Sequence, residues 1–332
     1  MLNIRNTPII AVGIVVALAT TACANGQVGM ASNQPLPAQT EPAQSTPSAQ
    51  PSSAAIVNTW SGATVNLKSL PLGDGNLSTT ASKSGSVYSC TGGNEARAGG
   101  PMETQPWIHG KTWDMTAKAV VEGKVTWPTA AFKVTNDAQT RTITTNSLPV
   151  DTATGEFPIA PSDPAHEYDR NPNSIGEHAT TIKLPVNPQK SATPQCLPMG
   201  AIGVMLNGVL LFNALDAAGR DGVAHEVQDV CQGHPARGEL YHYHDVPSCL
   251  RDAATGPSTV VGWAYDGFPI VVERDAAGKL PTNADLDECH GRTSPILLNG
   301  KVVTTYHYDA TLEYPYTIGC FAAPNAVGRT AR

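Results

Sequence analysis

The feature that most constrains this chain is a cysteine-bounded segment that occurs twice. Cys231-Gln232-Gly233-His234-Pro235 leads to Tyr241-His242-Tyr243-His244 and closes at Cys249. Cys289-His290-Gly291 leads to Tyr306-His307-Tyr308-Asp309 and closes at Cys320. In a strand, successive side chains point to opposite faces. Tyr241 and Tyr243 would then pin one face to a core while His242 and His244 project together from the other. His234 lies within the same bounded segment. The recurrence suggests a divergent internal duplication with unequal spacing. Copies packed face to face would bring His242, His244, His307 and Asp309 to one space.

Of the seven cysteines, Cys23 sits near the start, leaving Cys90, Cys196, Cys231, Cys249, Cys289 and Cys320. An even six in an exported chain predicts three disulfides. Sequence proximity and the repeat favour Cys231–Cys249 and Cys289–Cys320, leaving Cys90–Cys196. A short loop such as the first would gain on the order of 3 kcal/mol from closure. No Cys-x-x-Cys pair occurs, which argues against thiolate metal ligands.

Residues 1–23 read as an export signal: Arg5 supplies a sparse positive start and Pro8 to Ala22 is apolar or small. The stretch is too short and weakly flanked for a membrane span. Thr20-Thr21-Ala22-Cys23 resembles a bacterial lipoprotein cleavage site, with Thr20 where leucine is usual. Lipidation at Cys23 would anchor the mature chain to the outer face of a membrane. Residues 24–58 are rich in Pro, Ser, Ala, Gln and Thr and predict a disordered tether. Residues 59–322 are expected to form the folded domain, with 323–332 as a tail. The net charge of -7 comes with no basic cluster, which excludes nucleic acid as a partner.

The folded part reads as mainly β. Ala119, Val121, Val125 and Trp127 alternate with polar or small residues, as do Ile182, Leu184 and Val186. Asn207-Gly208, Asp266-Gly267 and Asn299-Gly300 each separate two apolar runs and predict hairpins with type I′ turns. Pro269 belongs at an edge or just after its turn. Short helices fit Gly222–Val230 and Asn283–Cys289. The expected class is an antiparallel, sandwich-like β domain with long loops, stapled by disulfides. Trp107 and Trp113, around His109, fit a strand edge packed on the core better than a sugar-stacking platform.

These motifs resemble the YHYH-domain family of bacterial envelope proteins. The likeness extends to Gly262-Trp263-Ala264-Tyr265-Asp266-Gly267-Phe268-Pro269-Ile270, Leu286-Asp287-Glu288-Cys289 and Tyr314-Pro315-Tyr316-Thr317-Ile318-Gly319-Cys320. Upstream it takes in Tyr168-Asp169-Arg170-Asn171-Pro172-Asn173 and Gly203-Val204-Met205-Leu206-Asn207-Gly208. The resemblance implies an envelope protein and carries no activity with it.

The chemistry therefore rests on residues. His242 and His244, two apart on a strand, can reach one ion. His234 or His307 and an oxygen of Asp309 would complete a set for Zn or Cu. The competing arrangement is a hydrogen-bonded Tyr/His core network. No Gly-x-Ser-x-Gly elbow occurs. His225-Glu226-Val227-Gln228-Asp229 falls short of a zincin helix because Asp229 replaces the second histidine. Asp266, Asp287 and Glu288 could act as acid or base only if they face the histidines, with Tyr241 and Tyr243 as further candidates. The loops at Asp216 and Asp275 lack calcium-ligand spacing. Two function classes follow. One is an exported, lipid-anchored, metal-binding protein; the other is a non-catalytic envelope module recognising a glycan or protein partner.

Overall fold

The computed structural model describes residues 56–327 except 63 and 95–104. The expected signal, Cys23 and most of the tether lie outside the described residues. The domain is mainly β, as expected. Its centre is one eight-stranded sheet. A second, three-stranded antiparallel sheet comprises β1 (Phe132–Asn136), β2 (Thr140–Thr145) and β3 (Thr180–Pro185). Ile143, Ile182 and Leu184 alternate inward and join the shared core. Val125 and Trp127 lie outside regular strand; Val125 makes only a bridge to Thr154.

The large sheet comprises β4 (Ala201–Met205), β5 (Leu210–Phe212), β6 (Gly233–Pro235), β7 (Tyr241–Tyr243), β8 (Ser258–Ala264), β9 (Pro269–Glu273), β10 (Gly291–Leu298) and β11 (Lys301–Asp309). Its spatial order is β6-β7-β5-β4-β8-β9-β11-β10. The order is a palindrome of two four-strand units. In each unit an antiparallel hairpin, β4/β5 or β8/β9, pairs in parallel with a Tyr-His-Tyr strand, β7 or β11. That strand in turn pairs antiparallel with the strand following the first cysteine, β6 or β10. The units meet at β4 and β8, where Val204 pairs with Trp263, Gly203 with Ala264 and Met205 with Gly262. The two glycines let the backbones close in: a Cβ on Gly203 would lie 2.9 Å from the Trp263 carbonyl oxygen, and one on Gly262 2.8 Å from that of Val204.

The internal repeat is thus real in register. The copies do not pack face to face, however. They extend one sheet side by side, because each hairpin offers an edge that pairs with its counterpart. His242 and His307 stand five strands apart, about 24 Å at the usual strand spacing.

Two of the expected type I′ turns take another form. Gly208 and Gly267 have positive φ (90° and 94°) while Asn207 and Asp266 do not; Asn299 and Gly300 are both positive. Asn207 and Asp266 keep ordinary backbone because their side chains turn inward to meet Tyr243 and Tyr308. Pro269 follows its turn directly, as expected. The two predicted helices are shorter than the sequence suggests: one α turn at Gly222–His225 (α1) and one 3-10 turn at Asn283–Asp285. All three expected disulfides are present, with Cα separations of 4.9 Å for Cys90–Cys196, 5.1 Å for Cys231–Cys249 and 4.5 Å for Cys289–Cys320.

Candidate functional site

An aspartate beneath each repeat sets the height and facing of its Tyr-His-Tyr strand. The Asp229 carboxylate accepts from the backbone N–H of Cys231 (2.9 Å) and Gly233 (3.1 Å) and from the Tyr241 hydroxyl (2.7 Å). In the second unit Asp287 accepts from Cys289 (3.0 Å), Gly291 (3.1 Å) and the Tyr306 hydroxyl (3.0 Å). The residue after each cysteine, Gln232 or His290, turns the chain with positive φ (65° and 69°). Tyr241 and Tyr243 are fully buried on this anchored face. Period-two alternation then forces His242 and His244 onto the opposite face.

There they meet His234, whose strand pairs so that His234 is directly opposite His242. One ring nitrogen from each of His234, His242 and His244 falls within a 4.8 Å cluster. The three residues are only 5%, 3% and 4% exposed. The orientation of two rings is fixed from behind. His242 Nδ1 lies 3.1 Å from the Leu240 carbonyl oxygen and His244 Nδ1 2.6 Å from that of Asn213. Because a carbonyl only accepts, both Nδ1 atoms carry the proton. In the neutral rings the two Nε2 lone pairs therefore face each other, 3.1 Å apart. Phe212 stacks on His242 with centroids 3.9 Å apart and closes that side.

Glu226, just past α1, delivers a carboxylate to the same point. Its Oε2 lies 2.9 Å from His244 Nε2 and 3.3 Å from His234 Nε2. Neither approach has hydrogen-bond alignment, and among the described residues neither His234 nitrogen has a hydrogen-bond partner. Burial opposes the Glu226 charge, but His234 and His244 outweigh it and hold the carboxyl well below its usual range. Burial, reinforced by the neighbouring histidines, drives His242 well below the usual imidazole value. His244 is raised despite burial, because Glu226 favours its charged form. Asp169 contributes a further buried carboxyl, pushed up to about 6 chiefly by burial, with His234 and Glu226 among its neighbours.

His307 and Asp309, expected in this cluster, are not part of it. They gather with Glu273 in the second unit, at the other end of the sheet. His307 Nε2 is 3.2 Å from Glu273 Oε2 and 3.7 Å from Asp309 Oδ2. Arg292 reaches Glu273 Oε2 at 2.5 Å. His307 is raised despite burial by the two carboxylates.

The acid and base candidates also lie elsewhere. Asp266 bonds the Tyr308 hydroxyl and the backbone N–H of Ala322 and Ala323, while Asp287 serves as the anchor described above. Glu288 is exposed. Neither Asp266 nor Glu288 faces the histidines of either cluster. Tyr241 and Tyr243 are structural supports on the far face. Trp107 and Trp113 are both fully buried and offer no stacking surface, with Trp107 Nε1 donating to the Ala224 carbonyl at 2.8 Å. His225 is engaged by Asp74 and Gln105. The residue overlooked from sequence is Glu226. Its one sequence signal is its place in the incomplete His-Glu-x-x-Asp pattern, and the helical turn stops at His225, one residue before it.

No curated protein and no solved structure matches the chain. A family model described as YHYH protein matches residues 181–282, a span that includes β4 through β9 and all of His234, His242, His244 and Glu226. Over residues 181–282 the chain therefore carries a YHYH domain.

Proposed function

We propose that the YHYH domain is a metal-binding module of the cell envelope, holding a zinc or copper ion with His234, His242 and His244 and with Glu226 as the adjacent carboxylate. The observation that carries this reading is the pair of Nε2 atoms at 3.1 Å, both left bare by carbonyls on Nδ1. Two ring nitrogens and a carboxylate oxygen converging in a buried space repel unless a proton or a metal ion sits among them, and Glu226 already favours positive charge on His244. Three of the donor separations, 2.9–3.3 Å, are close to the ~3.3 Å edge of a tetrahedron with zinc–ligand bonds near 2.0 Å, and the three ring nitrogens all lie within 4.8 Å of one another. Carbonyls behind two of the imidazoles supply the outer support that metal-bound histidines usually have.

A protein purified without chelator and dialysed exhaustively should retain one equivalent of zinc or copper. His242→Ala combined with His244→Ala should lose it while keeping its near-ultraviolet circular dichroism, since the anchoring tyrosines and disulfides are untouched. Unchanged metal content in the double variant would return the cluster to a structural hydrogen-bond network.

The three disulfides support an oxidising compartment, and with the apolar N-terminus they support export with lipid attachment at Cys23. A fatty-acid analogue should label the full chain and fail to label Cys23→Ser. Equal labelling of both would remove the anchor from the proposal.

A further inference from the structure

The second unit repeats the ring geometry of the first with a different set of charges. His307 Nδ1 lies 3.1 Å from the Thr305 carbonyl, two residues back, as His242 Nδ1 does from Leu240. Its Nε2 is thereby aimed at Glu273 and Asp309. Opposite His307 on the neighbouring strand stands Arg292, in the register position that His234 holds opposite His242. Asp309 stands in the place of His244. The Arg292 guanidinium contacts Glu273 Oε2 through Nε at 2.8 Å and a terminal nitrogen at 2.5 Å, and its Nε is 3.9 Å from Asp309 Oδ2. From outside, Asn58 accepts from it at 2.8 Å and the Trp60 ring stacks 4.5 Å away.

We propose that Arg292 is the resident cation of a second, closed metal site. Glu273, His307 and Asp309 form the donor set, and the guanidinium fills the charge that a divalent ion would supply. Two carboxylates and an imidazole with fully buried side chains form a set suited to a borderline or hard divalent cation such as zinc or manganese. The arginine does not saturate it: among the described residues, Glu273 Oε1 and both Asp309 carboxylate oxygens have no hydrogen-bond donor. Exchanging Arg292 for the residue of the first unit removes the fixed charge and leaves these acceptors facing a space that an ion can enter.

The inference rests on the second cluster alone, so the test is run with the first silenced. Full-length protein carrying His242→Ala and His244→Ala is compared with the same protein carrying Arg292→His, by equilibrium dialysis against zinc and, separately, manganese. The parent should bind no stoichiometric ion, and the Arg292→His protein should gain one equivalent that Asp309→Asn then removes. Arg292→Lys, which keeps a cation, should gain none. Should Arg292→His be unstable, its melting temperature should rise on adding the ion, whereas that of Arg292→Lys should not move. An equivalent bound in the parent and lost on Asp309→Asn would show the site open with Arg292 in place. No uptake and no thermal shift in the Arg292→His protein would show that the guanidinium holds no metal site closed. Either result overturns the proposal.

Discussion

At the scale of single residues, the two units show how one backbone position can serve different chemistry. Position 232 is glutamine, whose amide holds Asp245 at 2.8 Å and accepts from the Ser248 N–H at 2.8 Å. Its counterpart is His290, fully buried beside Thr311 Oγ1 at 3.0 Å and lowered by burial to about 3. A folded-state value below the unfolded 6.5 means the unfolded chain binds more protons between those limits. Stability from this group is complete above pH ~6.5 and is lost as pH falls toward ~3, by on the order of 5 kcal/mol at about 1.4 kcal/mol per unit. His290→Gln should flatten that part of the pH–stability curve measured by urea unfolding. An unchanged acid limb would place the sensitivity in other groups. At the proposed metal cluster, Glu226→Gln keeps the shape and removes the charge. It should weaken zinc affinity roughly 10–100-fold by competition with a chromogenic chelator, and an unaltered affinity would leave Glu226 outside the coordination.

At the scale of elements, the aspartate-anchored turn converts a tyrosine-histidine alternation into a directed site. Gly233 and Gly291 sit where a Cβ would run into the rings of Tyr241 and Tyr306. Gly233→Ala must displace Tyr241 and should cost about 1–3 kcal/mol by overpacking. The same displacement should lower metal retention, since the ring and His242 are neighbours on one short strand. Gly92→Ala, at an exposed glycine with open space around its Cβ position, should change neither urea midpoint nor metal content. If both glycines behaved alike, the anchored turn would not be what orients β7. The hairpin turns belong to the same logic. Asn-Gly and Asp-Gly were legible as turns, but their type was decided by Tyr243 and Tyr308, which claim the Asn207 and Asp266 side chains from across the sheet.

At the scale of the whole molecule, the units share a sheet through β4 and β8, so neither can open without breaking that central pairing. Denaturant unfolding should give one transition with coincident fluorescence and far-ultraviolet signals; two separated transitions would show independent units. The staples differ in reach. Cys90 and Cys196 are 106 residues apart, Cys231 and Cys249 only 18. By loop-closure entropy the first is worth about 4.7 kcal/mol and the second about 3. Paired Cys→Ser variants should follow that order in urea midpoint. Metal retention should follow the reverse order, because the short loop encloses His234, His242 and His244.

The sequence by itself determined everything set by period and short range. Alternation put His242 and His244 on one face, glycine placed the turns, and the even cysteine count with the spacing of the repeat gave the pairing. It also revealed the duplication. Only the tertiary structure decided how the copies combine, because side-by-side and face-to-face packing bury the same apolar positions and leave the same local pattern. That choice separated His307 and Asp309 from the first cluster and handed them Glu273 and Arg292 instead. It likewise brought in Glu226, which no spacing rule ties to His244 because they meet through the β5–β7 crossover rather than along one element. Charge and coordination in a buried site depend on which strands become neighbours, and that is fixed by the pairing of edges far apart in the chain.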